Sequence, residues 1–153
     1  MYLSLVSNKD TYEWDERMLY GELFIQIADV AFPAEGWTDI ISSVLDMWCD
    51  ILISLIHSNL CGVEKELYFM DGPYFIKILG LEDEMVSFTL FDHYKQGNQE
   101  PYVFSLYNLL SEVSKVAASI SKDERLKEVS NVRDLQGKYT LLKKIAKEKG
   151  YKL

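Results

Sequence analysis

The chain has 153 residues, of which 48% are hydrophobic, so it is long enough to bury a core without disulfide or metal staples. Aromatic residues make up 13% of the chain, so we expect no wholesale disorder, and the formal net charge is −8. The same negative charge repels phosphate backbones, so no nucleic-acid partner is expected for the main body. Because no linker or repeat interrupts the chain, we expect a single domain over residues 1–153.

The amino-terminal segment does not have the layout of a secretory signal. Residues 1–14 lack a basic stretch ahead of their short apolar run, so we expect no signal peptide and a cytoplasmic protein. Further along, residues 20–32 are rich in strand-forming residues. Leu23, Ile25 and Ile27 alternate there and predict a strand with one buried face.

The most apolar long stretch covers residues 32–56 and reads FPAEGWTDIISSVLDMWCDILISLI. Its uninterrupted apolar pieces are far shorter than the ~20 residues that cross a bilayer, so no membrane anchor is expected. The polar positions step by three or four and form one helical stripe: Asp39, Ser43, Asp46, Asp50, Ser54 and His57. We therefore predict a soluble helix with an acidic edge in water. Trp48 is expected in the core, whereas Trp37 suits either a hydrophobic lid or a contact residue.

A second strand-rich region follows. Asp71-Gly72 lies between two apolar runs and is a strong hairpin signal, because both residues tolerate positive φ. Val86, Phe88 and Leu90 alternate in the next run, and Glu82-Asp83-Glu84 is the turn before it. These patterns predict an antiparallel meander over residues 65–92, with the Leu23 strand as its fourth member.

The last third of the chain has helical spacing. Pro101 suits the first turn of a helix that ends near Ile120. Residues 122–150 form a second helical region, which we expect to be interrupted near Gly137 and to stop at Gly150. The order of elements predicts an α+β fold, in which an antiparallel sheet carries helices on one face and a helical C-terminal segment follows.

Charge is distributed unevenly along the chain. Residues 122–153 carry a net charge of +5, whereas residues 1–121 carry −13. An acidic body attracts a basic protein surface and steers its approach, although an acidic surface can also serve solubility alone. The basic segment can fold back on the acidic body, pack as an amphipathic helix, or touch RNA or anionic lipid. The apolar periodicity of residues 141–146 favours the packing helix.

Residues that carry chemistry are few. His57 and Cys61 have a spacing of four, but a structural zinc needs four ligands, and only Cys49 and His93 remain as soft candidates. A Cys61–His93 nucleophile pair is possible in space, as in any protein with these residue types. No phosphate-binding loop or hydrolase motif occurs. We therefore expect two reduced and buried thiols, although one bridge between Cys49 and Cys61 is possible. We also expect no metal, no cofactor, no catalytic residue and no enzymatic activity.

A family resemblance concerns residues 21–92. The segments FPAEGWTDIISSVLDMWCDIL and LYFMDGPYFIKIL, followed by MVSFTLF, resemble bacterial immunity proteins of polymorphic-toxin and contact-dependent inhibition systems. In those families a strand ending in a Phe-Pro turn leads to a Trp-containing helix and then to an antiparallel meander. The resemblance implies a cytoplasmic protein that binds a cognate toxin domain, often a basic nuclease, and blocks its active site. It implies no catalytic residues and does not say which toxin is bound.

Partner binding is expected at the acidic positions of the helix and of the turn, together with one aromatic residue. The candidate partner-binding residues are Trp37, Asp39, Asp46, Asp50, Glu82, Asp83 and Glu84. The alternative functions are an acidic adaptor or regulatory protein and, less favoured, a small-molecule enzyme. The pattern leaves the partner, the binding face and the oligomeric state open.

Overall fold

The computed structural model describes residues 1–93, 95–96 and 100–153, with the backbone alone described for residues 95–96. Within these residues, two antiparallel sheets and three α-helices form an α+β fold, which confirms the predicted class. The first sheet contains β1 (Leu3–Trp14), β2 (Leu19–Ile27), β3 (Val30–Phe32) and β4 (Thr38–Ile40). The second sheet contains β5 (Glu64–Tyr68), β6 (Tyr74–Gly80), β7 (Met85–Asp92), β8 (Lys95–Gln96) and β9 (Tyr102–Ser105). The helices are α1 (Ile41–His57), α2 (Leu106–Ser121) and α3 (Ser130–Glu148).

The first sheet is built around β2. Leu23, Ile25 and Ile27 are buried on one face of this strand, as their alternation predicts. β2 pairs with β1 along one edge and with β3 and β4 along the other. The prediction that β2 joins the meander is therefore wrong. Its neighbour β1 was not predicted, because only Leu3 and Leu5 of that strand are buried and its second half is polar.

Helix α1 is the buried centre of the molecule. It contacts β2 of the first sheet and β5 of the second. Trp48 is fully buried on it and donates its Nε1–H to the Tyr68 carbonyl at 2.9 Å, which confirms the core assignment. The helix begins only at Ile41, because the preceding residues Thr38–Ile40 form β4 and pair with β2. No helix in the described ranges is long and apolar enough to cross a bilayer.

The predicted meander is confirmed in the second sheet, where β5, β6 and β7 pair in sequence. Gly72 has a φ of +84° in the turn between β5 and β6. Glycine suits this position because it has no Cβ to oppose a positive φ. The prediction that Pro101 begins a helix is wrong, because β9 follows it and pairs with β7. Helix α2 starts after β9, and the Ser105 hydroxyl caps it by accepting the Asn108 N–H at 3.1 Å.

Helix α3 packs on α1 and α2 and buries Leu135, Leu142 and Ile145. The predicted interruption at Gly137 is wrong, because α3 is continuous through this exposed position. A single glycine in a helix costs only about 1 kcal/mol, which apolar burial on the opposite face offsets. The chain leaves the helix at Gly150, where φ is +92° and the Tyr151 N–H bonds the Ala146 carbonyl at 2.9 Å.

Candidate protein-binding surface

Trp37 and Asp39 lie where the two sheets meet. Asp39 belongs to β4 and is only 2% exposed. Its Oδ2 accepts the Trp37 Nε1–H at 3.0 Å, and its Oδ1 accepts the backbone N–H of Asp71 at 3.2 Å. The Trp37 ring packs edge-on against Tyr74, with their centroids 5.0 Å apart. The predicted exposure of Asp39 on a helical edge is therefore wrong, and Trp37 covers the junction of the sheets as a lid.

Asp46 and Asp50 lie on the side of α1 that faces α3. The Asp50 Oδ1 forms an ion pair with Lys138 Nζ at 2.5 Å. The Asp46 Oδ1 is buried and, among the described residues, has no hydrogen-bond partner. Burial raises the pKa of the Asp46 carboxyl, Lys138 opposes that rise, and Asp50 and Asp134 add to it. The predicted water-facing edge is therefore wrong for Asp46, which is half-buried because the basic C-terminal helix packs on α1. Asp50 is exposed as predicted, but it is paired with Lys138.

The acidic turn between β6 and β7 is exposed, as its sequence suggests. The Met85 N–H bonds the Glu82 carbonyl at 3.2 Å, and the two residues between them, Asp83 and Glu84, have φ values of +55° and +56°. This arrangement matches a two-residue hairpin turn of type I′. The Glu84 Oε1 accepts the Tyr151 hydroxyl at 2.8 Å. Glu82 and Asp83 direct their charge to solvent with no ion pair to any described residue.

A hollow of about 320 Å³ adjoins this turn. It lies between the turn, residues 58–61 after α1, Leu106 at the start of α2, and the C-terminal Lys149 and Tyr151. Gly80 fixes one wall, because a Cβ on it would lie 1.8 Å from the Leu60 carbonyl oxygen. Burial, together with the Glu84 carboxylate, raises the pKa of Tyr151 to about 12, so this hydroxyl stays a neutral donor. The hollow therefore combines free carboxylates, a fixed hydroxyl and one lysine.

The fold does not bring Cys61 and His93 together. The prediction that Cys61 is buried is wrong, because α1 ends at His57 and Cys61 is an exposed free thiol in the following turn. Its neighbour Gly62 donates its N–H to the Gly80 carbonyl at the end of β6. His93 lies at the other end of the same sheet, where its N–H bonds the Pro73 carbonyl. Seven residues of strand separate these ends, or roughly 20 Å. No three His, Cys, Asp or Glu side chains of the described residues are placed to share a metal ion.

Cys49 is buried in the core, and two residues near the hollow, Tyr151 and Gly80, were not predicted as site residues. Burial raises the pKa of Cys49 to about 12, so this residue is an inert apolar group in the core. Tyr151 was not predicted as a site residue, because it meets Glu84 across 67 positions of sequence. Gly80 offered a local signal, since a glycine inside a strand often marks a close backbone approach.

Comparison with known proteins adds no family assignment. The chain matches no protein-family model, no curated protein and no solved structure. The resemblance to immunity proteins therefore depends on the pattern of residues 21–92 alone.

Proposed function

We propose that the protein acts by stoichiometric binding of a positively charged protein domain, in the manner of an immunity protein that neutralises a cognate toxin in the cytoplasm. The observation that carries the proposal is the charge of −13 on residues 1–121. A field of this sign concentrates a basic partner near the surface and accelerates its encounter. It equally disfavours nucleic acid as a ligand of this body.

The acidic turn and its hollow are the surface that best suits such a partner. Glu82 and Asp83 are exposed and held on a tight turn, so their positions are fixed by the backbone rather than by ion pairs. Carboxylates presented in this way accept charge-assisted hydrogen bonds from lysine or arginine side chains. The volume of the hollow falls within the range of ligand pockets, so it can admit such a side chain. Asp39, Asp46 and Asp50 are left out of the proposed interface, because Asp39 is buried, Asp46 is half-buried and Asp50 is already paired with Lys138.

The direct test is whether this protein neutralises the product of the neighbouring gene. The open reading frame next to the gene for this protein is expressed in a bacterial host with and without it. We expect that the neighbour alone arrests growth, that co-expression restores growth, and that the two chains purify as a stoichiometric complex. A neighbour that is harmless and does not bind would contradict the immunity function and favour an acidic adaptor.

A charge-matched pair of variants locates the interface on the molecule. Glu82→Gln with Asp83→Asn removes two charges from the turn, and Asp29→Asn with Glu35→Gln removes two from exposed positions elsewhere. Both pairs should slow association with the toxin domain to a similar extent, because steering depends on total charge. Faster dissociation is expected for the turn pair alone. Equal dissociation rates for the two pairs would move the interface away from the turn.

A further inference from the structure

The outer edge of β1 is closed by side chains of α2 at one end and open at the other. Asn108 is buried, and its side-chain amide makes the two hydrogen bonds that a paired strand would make to Leu3. Its Oδ1 accepts the Leu3 N–H at 2.8 Å, and its Nδ2 donates to the Leu3 carbonyl at 2.9 Å. Glu112 is also buried and accepts the Leu5 N–H at 2.9 Å. The side chains of α2 thus substitute for a strand at residues 3–5.

The same pattern of outward backbone groups continues to Ser7. The register with β2 is unbroken from Leu3 to Asn8, so outward N–H and C=O groups recur at every second residue. Leu5 C=O and both backbone groups of Ser7 therefore point to the same side as the groups that α2 caps. In the described part of the chain no side chain or loop bonds these groups. They form a short strand edge with its hydrogen-bonding capacity unused.

A groove of about 390 Å³ lies beside this edge. Its floor includes Tyr12, whose hydroxyl is 2.7 Å from the Ser7 Oγ, and its far wall is α2. The wall residues Glu112, Lys115, Val116 and Ser119 recur at helical spacing, so one face of α2 borders the groove along its length. The groove opens where the side chains of α2 no longer reach the strand.

The charges at this groove are positive on the side facing solvent. Lys9 is exposed at its rim. Lys115 is 68% exposed and lies 3.0 Å from Glu112, whose buried carboxylate is already engaged by Leu5 and Tyr2. A ligand in the groove therefore meets two ammonium groups before it meets a free carboxylate. The end of the groove is set by the register shift after Asn8, which limits the open edge to a few residues.

We propose that this groove binds a short extended peptide segment with an acidic side chain, which adds to the first sheet as a strand between β1 and α2. The peptide backbone continues at Leu5 and Ser7 the hydrogen bonding that Asn108 and Glu112 supply at residues 3–5. This is the strand-addition mode of peptide recognition, in which backbone bonds give affinity and flanking side chains give selectivity. The acidic residue of the peptide faces Lys9 and Lys115. This surface is separate from the acidic turn and does not depend on the proposed immunity function.

The test uses a displayed library of short random peptides selected on the intact protein. We expect enriched peptides that carry an acidic residue beside alternating β-branched positions. Ser7→Pro removes the outward N–H, whereas Ser7→Ala removes only the hydroxyl, so binding should fall at least about tenfold in the first and stay near wild type in the second. Lys9→Glu should also weaken binding, while Lys143→Glu on the exposed face of α3 serves as its charge-matched control.

A second measurement keeps the proposal testable if Ser7→Pro does not fold. Amide hydrogen exchange of wild-type protein is recorded with and without a selected peptide, and protection is expected at Ser7. The proposal is overturned if no peptide is enriched, if Ser7→Pro folds and binds as wild type does, or if the bound peptide protects other regions and leaves the Ser7 amide unchanged.

Discussion

Two acidic regions of this molecule have the same residue types and opposite roles. Asp39, Asp46 and Asp50 are spaced as one stripe, yet Asp39 bonds the turn of the second sheet and Asp50 pairs with Lys138 of α3. Glu82 and Asp83 lie on a hairpin turn and keep their charge free. A periodic stripe of acids in the sequence therefore does not identify a free acidic surface, because partners far along the chain can bury or pair its members.

The largest expected effect is at Asp39. Asp39→Ala leaves the Trp37 Nε1–H and the Asp71 N–H without an acceptor in a buried site. Since each unsatisfied group costs about 1–3 kcal/mol, the free energy of unfolding should fall by about 3 kcal/mol. Urea unfolding followed by tryptophan fluorescence measures it.

Asp39→Asn is the matched control, because its carbonyl oxygen still accepts one of these hydrogen bonds. We expect it to lose about half as much stability as Asp39→Ala. An alanine variant as stable as wild type would show that Asp39 is not what joins the two sheets.

A smaller loss is expected at the ion pair between α1 and α3. Lys138→Met keeps the apolar stem but removes the charge that meets Asp50. Because both side chains are partly exposed, at 36% and 53%, the loss should be about 1 kcal/mol or less, and high salt should shrink the difference from wild type. Thermal melts at low and high salt measure it. Lys143→Met, on the exposed face of α3, should change little; an equal loss there would mean that α3 stability does not depend on this pair.

Replacing Asp46 by asparagine should stabilise the protein by an amount that depends on pH. Burial raises the pKa of this carboxyl in the folded protein, so the folded state holds the proton more tightly than the unfolded state does. Wild-type stability is therefore lost as pH rises from the ordinary carboxyl pKa of about 4 through the raised value. Asp46→Asn removes this loss, and since the residue is partly exposed the gain at neutral pH should be about 0.5 kcal/mol.

Denaturant unfolding across the acid range checks this sign. The two proteins should differ at neutral pH and converge below the ordinary carboxyl pKa, where Asp46 is protonated in both folded and unfolded states. A variant that is less stable than wild type at neutral pH would indicate that the Asp46 charge is satisfied, for instance by Lys138.

The smallest effect on stability is expected at the acidic turn. Glu82→Gln with Asp83→Asn preserves the shape of both side chains, and asparagine tolerates the positive φ of Asp83. The free energy of unfolding should stay within about 0.5 kcal/mol of wild type, as for most surface changes. The same urea titration measures it. A large loss of stability would show that these acids, like Asp39, stabilise the fold.

The spacing of apolar residues in the sequence predicted those strands and helices in which buried residues recur at a constant interval. The alternation of Val86, Phe88 and Leu90 and the helical spacing of α1 and α2 are such cases, and the α+β class follows from their order. β1 escaped prediction because its second half is polar and pairs with β2, while its first residues are held by the side chains Asn108 and Glu112, more than 100 residues away. The predicted exposure of Asp39 was wrong for the same reason, because Asp39 accepts a hydrogen bond from Asp71, which is 32 residues further along the chain.

The most direct test of the contrast between the two acidic regions uses the partner domain that the proposed neutralisation experiment is designed to identify. Dissociation rates are measured for wild type, for Glu82→Gln with Asp83→Asn, and for Asp46→Asn with Asp50→Asn. We expect dissociation to accelerate about tenfold or more for the turn pair and to stay at the wild-type rate for the helix pair, because the turn acids are exposed and unpaired among the described residues, whereas Asp46 is half-buried and Asp50 is paired with Lys138. Faster dissociation for the helix pair, with the turn pair unchanged, would contradict the account.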